Sequence, residues 1–298
     1  MKRVFSLLLA LTLLSGCGAP AEPEVLPDKP PAEVEAVSLP ELRRLEPISA
    51  PAVVTEGRKP AEDYDLPPLP QDTDWRTYRN NAERWVTDGP HIAVLAEDRK
   101  ADAVLYGLPV YANSSGETAL IRWGDRMAEF DWALFPGPSM VLPQIVGLDT
   151  GLGVEKLAVI CQVGTGTGVS IQELHILEWG PDGSLTAYTF PESLWQEELP
   201  KLFDTAELGG RTFAILGHEL VEFNHEHEGP DLDLEKTSSG MIAGFSVEEW
   251  GGLRFRGAFC LSPPDSAAPC YVAETSAEIL YQDGVFTLQG FHLYSYDQ

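Results

Sequence analysis

The sequence has few basic residues for its length. Only 20 Lys and Arg stand against 46 Asp and Glu, which gives a formal net charge of −26. This balance excludes an electrostatic nucleic-acid binder, because phosphate backbones bind cationic surfaces. It also excludes adsorption to anionic lipid by charge alone. We therefore predict no nucleic-acid partner, and the acidic surface by itself identifies no other partner.

Signatures of reactive sites are scarce as well. The chain lacks Gly-x-Ser-x-Gly and Ser-x-x-Lys, so the common serine-nucleophile motifs are absent. The run Gly164-Thr-Gly-Thr-Gly168 lacks the lysine of a phosphate loop and favours a tight connection between two segments. In His218-Glu-Leu-Val-Glu222 a glutamate occupies the place where a zinc protease needs its second histidine. We predict no catalytic residue and no cofactor, and a non-enzymatic role is favoured.

Cysteines are few, four in all. Cys161 lies inside an apolar run and is predicted to be a small buried residue. Cys260 and Cys270 bracket a loop that contains three prolines. Outside the cytoplasm a disulfide could close this loop and would contribute about 2–4 kcal/mol. The alternative is a pair of reduced thiols, and the sequence leaves both open.

One stretch has the composition of a metal site. His225 and His227 would point the same way in an extended segment, and Asp231 follows. Two imidazoles and a carboxylate can hold zinc or copper, so His225, His227 and Asp231 are the candidate ligands. The alternative, which Gly229-Pro230 favours, is a solvated acidic loop.

The first seventeen residues read as an export signal. Lys2 and Arg3 precede the apolar segment 4–14, which is too short for a permanent membrane span. Leu14-Ser-Gly-Cys17 follows. This motif resembles the lipobox of bacterial lipoproteins. The resemblance implies that Cys17 is lipidated and becomes the mature N-terminus, and that the chain is held on the extracytoplasmic face of the cell membrane by its lipid.

Residues 18–70 differ in composition from the remainder. Half of the 24 prolines fall here, with many Ala and Glu, and no aromatic residue occurs before Tyr64. Such a segment buries too little apolar surface to offset the entropy of ordering. We predict a disordered, proline-stiffened stalk over 18–70, followed by a folded domain over 71–298.

The folded domain begins with an amphipathic helix. Trp75, Tyr78, Ala82, Trp85 and Val86 recur at helical spacing, and Thr73 or Asp74 can cap the start. Short strand patterns follow, and Asp283-Gly284 is a hairpin signal. The predicted strands are 92–96, 103–106, 119–123, 127–132, 185–190, 211–216, 219–223, 253–261, 271–281 and 285–296.

The domain is organised around residues 145–190. The run 156–163 is apolar at six of eight positions, which is typical of a strand covered on both faces. The segment 170–179 begins with a helix capping box but leads into the Gly180-Pro-Asp-Gly183 turn, so a strand is favoured over a helix. A short helix is predicted at 191–199.

The predicted fold is mainly β (α+β): an antiparallel β-rich domain with one or two flanking short helices. The folded part is similar to uncharacterised lipoproteins of clostridial-type Firmicutes, a resemblance that carries no activity with it. The expected function is a non-catalytic cell-envelope module, attached to the membrane by its lipid, that binds an envelope ligand or protein. The alternative is a metal-binding or metal-dependent envelope protein that uses residues 218–235.

Overall fold

The structure is a computed structural model of the chain. It describes residues 43–72, 74–87, 91–108, 118–134, 141–149, 153–223, 237–261 and 270–296, which belong to one compact unit, Ser38–Gln298. The predicted signal peptide, Cys17 and residues 18–42 lie outside the described residues. Among the described residues no helix is long and apolar enough to cross a membrane.

The described residues form mainly β-structure, as predicted. The helix is α1 (Trp75–Thr87), and a π-helical turn (Leu194–Glu198) and a 3-10 turn (Leu199–Leu202) lie where a short helix was predicted. The first strands are β1 (Ile48–Pro51), β2 (Val53–Glu56), β3 (Ala93–Asp98), β4 (Ala103–Gly107), β5 (Ala119–Trp123), β6 (Arg126–Phe130), β7 (Gln144–Asp149), β8 (Val154–Gly166) and β9 (Val169–Trp179). The later strands are β10 (Leu185–Thr189), β11 (Phe203–Leu208), β12 (Arg211–Leu216), β13 (Glu219–Phe223), β14 (Thr237–Val247), β15 (Leu253–Leu261), β16 (Cys270–Gln282) and β17 (Val285–Ser295).

These strands form three sheets. The large sheet has the order β1-β17-β16-β15-β14-β9-β10-β2, and β8 and β7 extend it from β9. Its ladders are antiparallel except for a short parallel contact between β14 and β9. Two smaller antiparallel sheets have the orders β3-β4-β5-β6 and β11-β12-β13.

Residues 43–70 belong to the folded domain, so the predicted stalk boundary is wrong. In β1, Ile48 lies opposite Leu288 of β17, and in β2, Val54 lies opposite Tyr188 of β10. Between them the Ala52 amide donates to the Gly284 carbonyl at 2.8 Å. β1 and β2 are the two end strands in the order of the large sheet, and they follow each other directly in the chain. The two ends of the sheet are therefore joined by the chain at Ala52. Local composition missed these strands because their partners are distant in sequence.

Strand β8 is covered on both faces, as predicted. Ala158 and Ile160 pack in one hydrophobic core, which also contains the inner residues of β15, β16 and β17. Leu157, Val159 and Cys161 pack in a second core against the four-stranded sheet. The alternation of side chains along a strand therefore explains the continuous apolar run, because each face has its own core.

The glycine-containing turns are hairpin connections. Strand β8 continues to Gly166 and β9 starts at Val169, so Gly164-Thr-Gly-Thr-Gly168 joins two strands and the segment 170–179 is a strand, as favoured. At the β16–β17 turn Asp283 and Gly284 have φ of 50° and 77°. Two consecutive left-handed residues are typical of a type I′ hairpin, which confirms the prediction for this pair.

Helix α1 forms where predicted, with Asp74 at its start: the Arg76 amide donates to Asp74 Oδ1 at 3.1 Å. Its buried residues are Tyr78, Ala82 and Trp85. Trp75 and Val86 were expected on the same face, but both are more than half exposed. Three residues at i, i+4 and i+7 are enough to seat a helix of this length, and the flanking apolar residues stay in solvent.

Candidate functional site

The outer face of β15, β16 and β17 is polar because core residues alternate with polar residues along these strands. The register places Arg256 opposite Ser276, and Ser276 opposite His292 on the next strand. Glu274 lies opposite Tyr294. Three neighbouring strands thus bring polar side chains that are far apart in sequence onto one surface.

A cleft of 600 Å³ lies on this surface, and we call it the polar cleft. Its lining combines two guanidinium groups, two carboxylates, three hydroxyls besides the tyrosine, and the rings of a histidine and a tyrosine. The lining residues are Glu248, Arg254, Arg256, Glu274, Thr275, Ser276, His292, Tyr294 and Ser295. Its volume is within the range of about 300–1,000 Å³ that is typical of small-molecule sites.

Hydrogen bonds fix part of this lining. Arg254 Nε donates to Glu248 Oε1 at 3.0 Å, which ties β15 to the end of β14. The Ser276 and Tyr294 hydroxyls lie 3.3 Å apart. His292 Nδ1 lies 2.9 Å from Glu219 Oε1, so the first residue of β13 holds the imidazole at the edge of the cleft. These contacts orient several side chains before any ligand arrives.

Two charged residues of the polar cleft are not engaged in this way. Arg256 and Glu274 are exposed, and neither has an ion-pair partner within the part of the chain that the structure describes. A guanidinium presents five N–H donors, and a carboxylate presents acceptors. Both sets of groups are therefore open to a ligand, on strands that are rigidly paired to their neighbours.

An exposed tryptophan lies in the turn that begins at Glu248, a lining residue of the polar cleft. Trp250 is 70% exposed and lies in the turn between β14 and β15, two residues after Glu248. The turn is closed by a 2.8 Å hydrogen bond from the Glu248 amide to the Gly252 carbonyl. The Trp250 ring lies over Gly252, where an added Cβ would come within 1.8 Å of a ring carbon. Glycine at 252 therefore lets the ring rest on the turn.

The arrangement lacks the bond that a serine hydrolase needs. Ser276 faces His292 across the ladder, and His292 is oriented by Glu219. However, the Ser276 hydroxyl bonds to Tyr294 and not to the imidazole. An activated serine requires a base within hydrogen-bond reach, in a strained or exposed position. Ser276 is instead buried in the middle of a strand.

The predicted metal ligands His225, His227 and Asp231 lie outside the described residues. In the described ranges, no group of three or more His, Cys, Asp or Glu side chains is placed to hold a metal ion. His218 lines a separate cleft of 430 Å³ together with Arg43, Arg44 and Glu278. Glu46 and Glu219 also line this cleft, so its three carboxylates offset its two guanidinium groups.

The side chains of Cys260 and Cys270 lie on opposite faces of the sheet. Cys260 lies opposite Tyr271 and Cys270 opposite Leu261, and adjacent residues of a strand alternate in direction. Cys270 and Leu261 pack in the first core, whereas Cys260 Sγ lies 3.1 Å from the Ser238 hydroxyl. No disulfide joins the two cysteines. The disulfide alternative does not fit this geometry. Burial raises the pKa of the Cys260 thiol, which makes it a poor nucleophile.

The most deeply buried imidazole among the described histidines, that of His175, has a structural role. Its ring stacks on Trp132 with centroids 4.0 Å apart, and its Nδ1 lies 2.8 Å from the Thr189 hydroxyl. Burial lowers the pKa of His175 to about 3. The ring is therefore neutral at physiological pH and packs as an aromatic side chain. Cys161, predicted to be buried, lies in the same core.

Comparison with known proteins adds no relative: no family model, no curated protein and no solved structure matches the chain.

The polar cleft was not predicted from the sequence. Its residues come from three strands and one turn, interleaved with core residues, and only the strand register brings them together. The one sequence signal was Trp250, which lies between two glutamates and two glycines rather than in an apolar run.

Proposed function

We propose that this protein is a lipid-anchored, extracytoplasmic lipoprotein that binds a ligand of the cell envelope without altering it chemically. The signal-like residues 1–17, with the lipobox resemblance that ends at Cys17, support the anchor and the location. The polar cleft supports the binding role. It is the single observation that carries this proposal, because it offers unengaged donors and acceptors on a rigid sheet while its serine lacks a bonded base.

The anchor is tested by cell fractionation of wild type and Cys17→Ala. Lipidation at Cys17 predicts that the wild type partitions with membranes and is cleaved before this residue. The variant should either be released into the soluble fraction or keep its signal. A variant that is processed and membrane-bound like the wild type would refute the anchor.

The binding role is tested with the mature full chain in detergent micelles, mixed with envelopes of the cells that produce it and then sedimented. The wild type should sediment with the envelopes, and the Arg256→Ala/Tyr294→Ala variant should sediment less. Lys59→Ala, at a cation outside the cleft, is the matched control and should behave as the wild type. Equal sedimentation of all three would exclude the cleft as the binding site, and chemical conversion of the bound material would exclude a non-catalytic role.

The metal-binding alternative, with His225, His227 and Asp231 as ligands, is tested by zinc calorimetry on the same chain. A stoichiometric site that is lost in His225→Ala/His227→Ala would support it. Equal weak binding by both chains would indicate diffuse attraction to an acidic surface.

A further inference from the structure

We propose that the ligand of the polar cleft is a neutral, hydroxyl-rich chain, that is, a stretch of uncharged glycan. This inference rests on the proposed binding function and names the ligand class of the same site. Tyr294, which lines the cleft, and Trp250, in the turn that follows the lining residue Glu248, provide ring surfaces for sugar rings. Arg256 and Glu274 provide the hydrogen bonds.

The aromatic residues are the first reason. Trp250 is 70% and Tyr294 49% exposed, although large aromatic side chains are usually well buried. Both are held in place, Trp250 by its seat over Gly252 and Tyr294 by its bond to the Ser276 hydroxyl. A rigid ring with an apolar face and a polar end suits a ligand that is itself amphipathic, such as a sugar ring with C–H groups on its faces and hydroxyls at its rim.

The polar groups are the second reason. A sugar hydroxyl both donates and accepts, so its site needs donors and acceptors side by side. Arg256 supplies donors, Glu274 supplies acceptors, and neither is committed to another described side chain. Each is planar and can meet two adjacent hydroxyls at once.

The balance of charge is the third reason. Glu248 and Glu274 line the cleft opposite Arg254 and Arg256, so neither sign dominates within it. An anionic ligand would face these carboxylates and a chain of net charge −26. A cationic ligand would face the two guanidinium groups. A neutral ligand avoids both penalties. The cleft also lies on the outer face of a sheet, where a polymer can cross without an end having to enter.

The test is calorimetry of the mature full chain in detergent with three neutral probes, cellohexaose, maltohexaose and chitohexaose. Hexagalacturonate and a fully deacetylated glucosamine hexamer are the anionic and cationic comparisons. We expect at least one neutral probe to bind more tightly than either charged one. Trp250→Ala and Tyr294→Ala should each weaken that binding about fivefold, since each removes one stacking surface. Arg256→Ala should weaken it about tenfold, through lost hydrogen bonds from a charged donor.

Two variants make the result specific. Trp75→Ala removes an exposed tryptophan of α1, outside the cleft, and should leave the dissociation constant unchanged. Gly252→Ala keeps the Trp250 indole but displaces it from its seat, so binding should weaken without loss of the ring. The substituted side chains of Trp250 and Tyr294 are exposed, and equal thermal midpoints will show that the fold is kept.

The proposal is overturned if no neutral probe binds, if Trp250→Ala and Tyr294→Ala both bind the neutral probe as tightly as the wild type does, or if a charged probe binds most tightly. These outcomes are separable from failure of the proposed function. Envelope binding that depends on the cleft, without binding of neutral glycans, would leave the function standing and refute the ligand class. Envelope binding that does not depend on the cleft would refute both.

Discussion

Truncation of Ile160 to Ala tests the organising element of the fold. Ile160 is 1% exposed on β8 and packs in the first core, and its neighbour Val159 is fully buried in the second. The change removes three buried carbons, and at about 0.8 kcal/mol for each this costs roughly 2.4 kcal/mol of transfer free energy. The cavity left behind raises the expected loss of unfolding free energy to about 3–4 kcal/mol. Val159→Ala removes two carbons and should cost about 2–3 kcal/mol.

The measurement is urea unfolding followed by tryptophan fluorescence. The matched control is Leu280→Ala in β16, because this leucine is 49% exposed. Leu280→Ala should lower the free energy of unfolding by less than about 1 kcal/mol, since little of the leucine surface leaves water on folding. If Ile160→Ala costs no more than this control, β8 is not covered on its first face. If Val159→Ala alone is mild, the second core is absent.

Three further results are expected. The pKa of His175 is about 3 in the folded state and 6.5 in the unfolded state, so the unfolded state takes up the proton first as pH falls. Between pH 8 and pH 5 the free energy of unfolding should therefore fall by about 2 kcal/mol more in the wild type than in His175→Leu. Equal pH dependence of unfolding in both chains would contradict burial of the imidazole. Cys260 and Cys270 should both be alkylated in urea without reductant, and a peptide pair linked through sulfur in mass spectrometry would refute their placement on opposite faces. Limited proteolysis should spare residues 48–56, whereas early cuts there would restore the stalk boundary predicted from composition.

Much of the fold could be predicted from local pattern. The predicted strands at 119–123, 211–216 and 253–261 have the bounds that the structure shows, because each is a run of apolar or alternating residues between turn signals. Helix α1 was predicted for the same reason. In these segments local preference and tertiary packing agree.

Other features depend on partners that a local pattern does not reveal. Strands β1 and β2 are only four residues long and lie in a segment rich in Pro, Ala and Glu, and they are strands because β17 and β10 pair with them. β11 and β14 were also not predicted; β14 contains an irregularity between Ser239 and Ala243, which interrupts its alternation. Trp75 shows the converse, a residue that fits the helical stripe but has no core to meet.

The polar cleft could not be predicted for the same reason. Arg256, Glu274 and His292 are ordinary solvent-facing residues in the sequence, and a shift of one position in the register would separate them. The pairing of β15, β16 and β17 places these three residues side by side, and that pairing cannot be seen in any one segment of the sequence.

The pairing of β1 with β17, at one end of the large sheet, can form only late in the folding of the newly made chain. Ile48 lies opposite Leu288, so the first described strand has no partner on β17 until 240 further residues have been made. Chains are synthesised from the N-terminus, and pairings this distant in sequence form late. A chain that stops short of β17 would keep the edges of both β1 and β16 open. Arrival of β17 is therefore the step that pairs both of these edges and removes them as sites of aggregation.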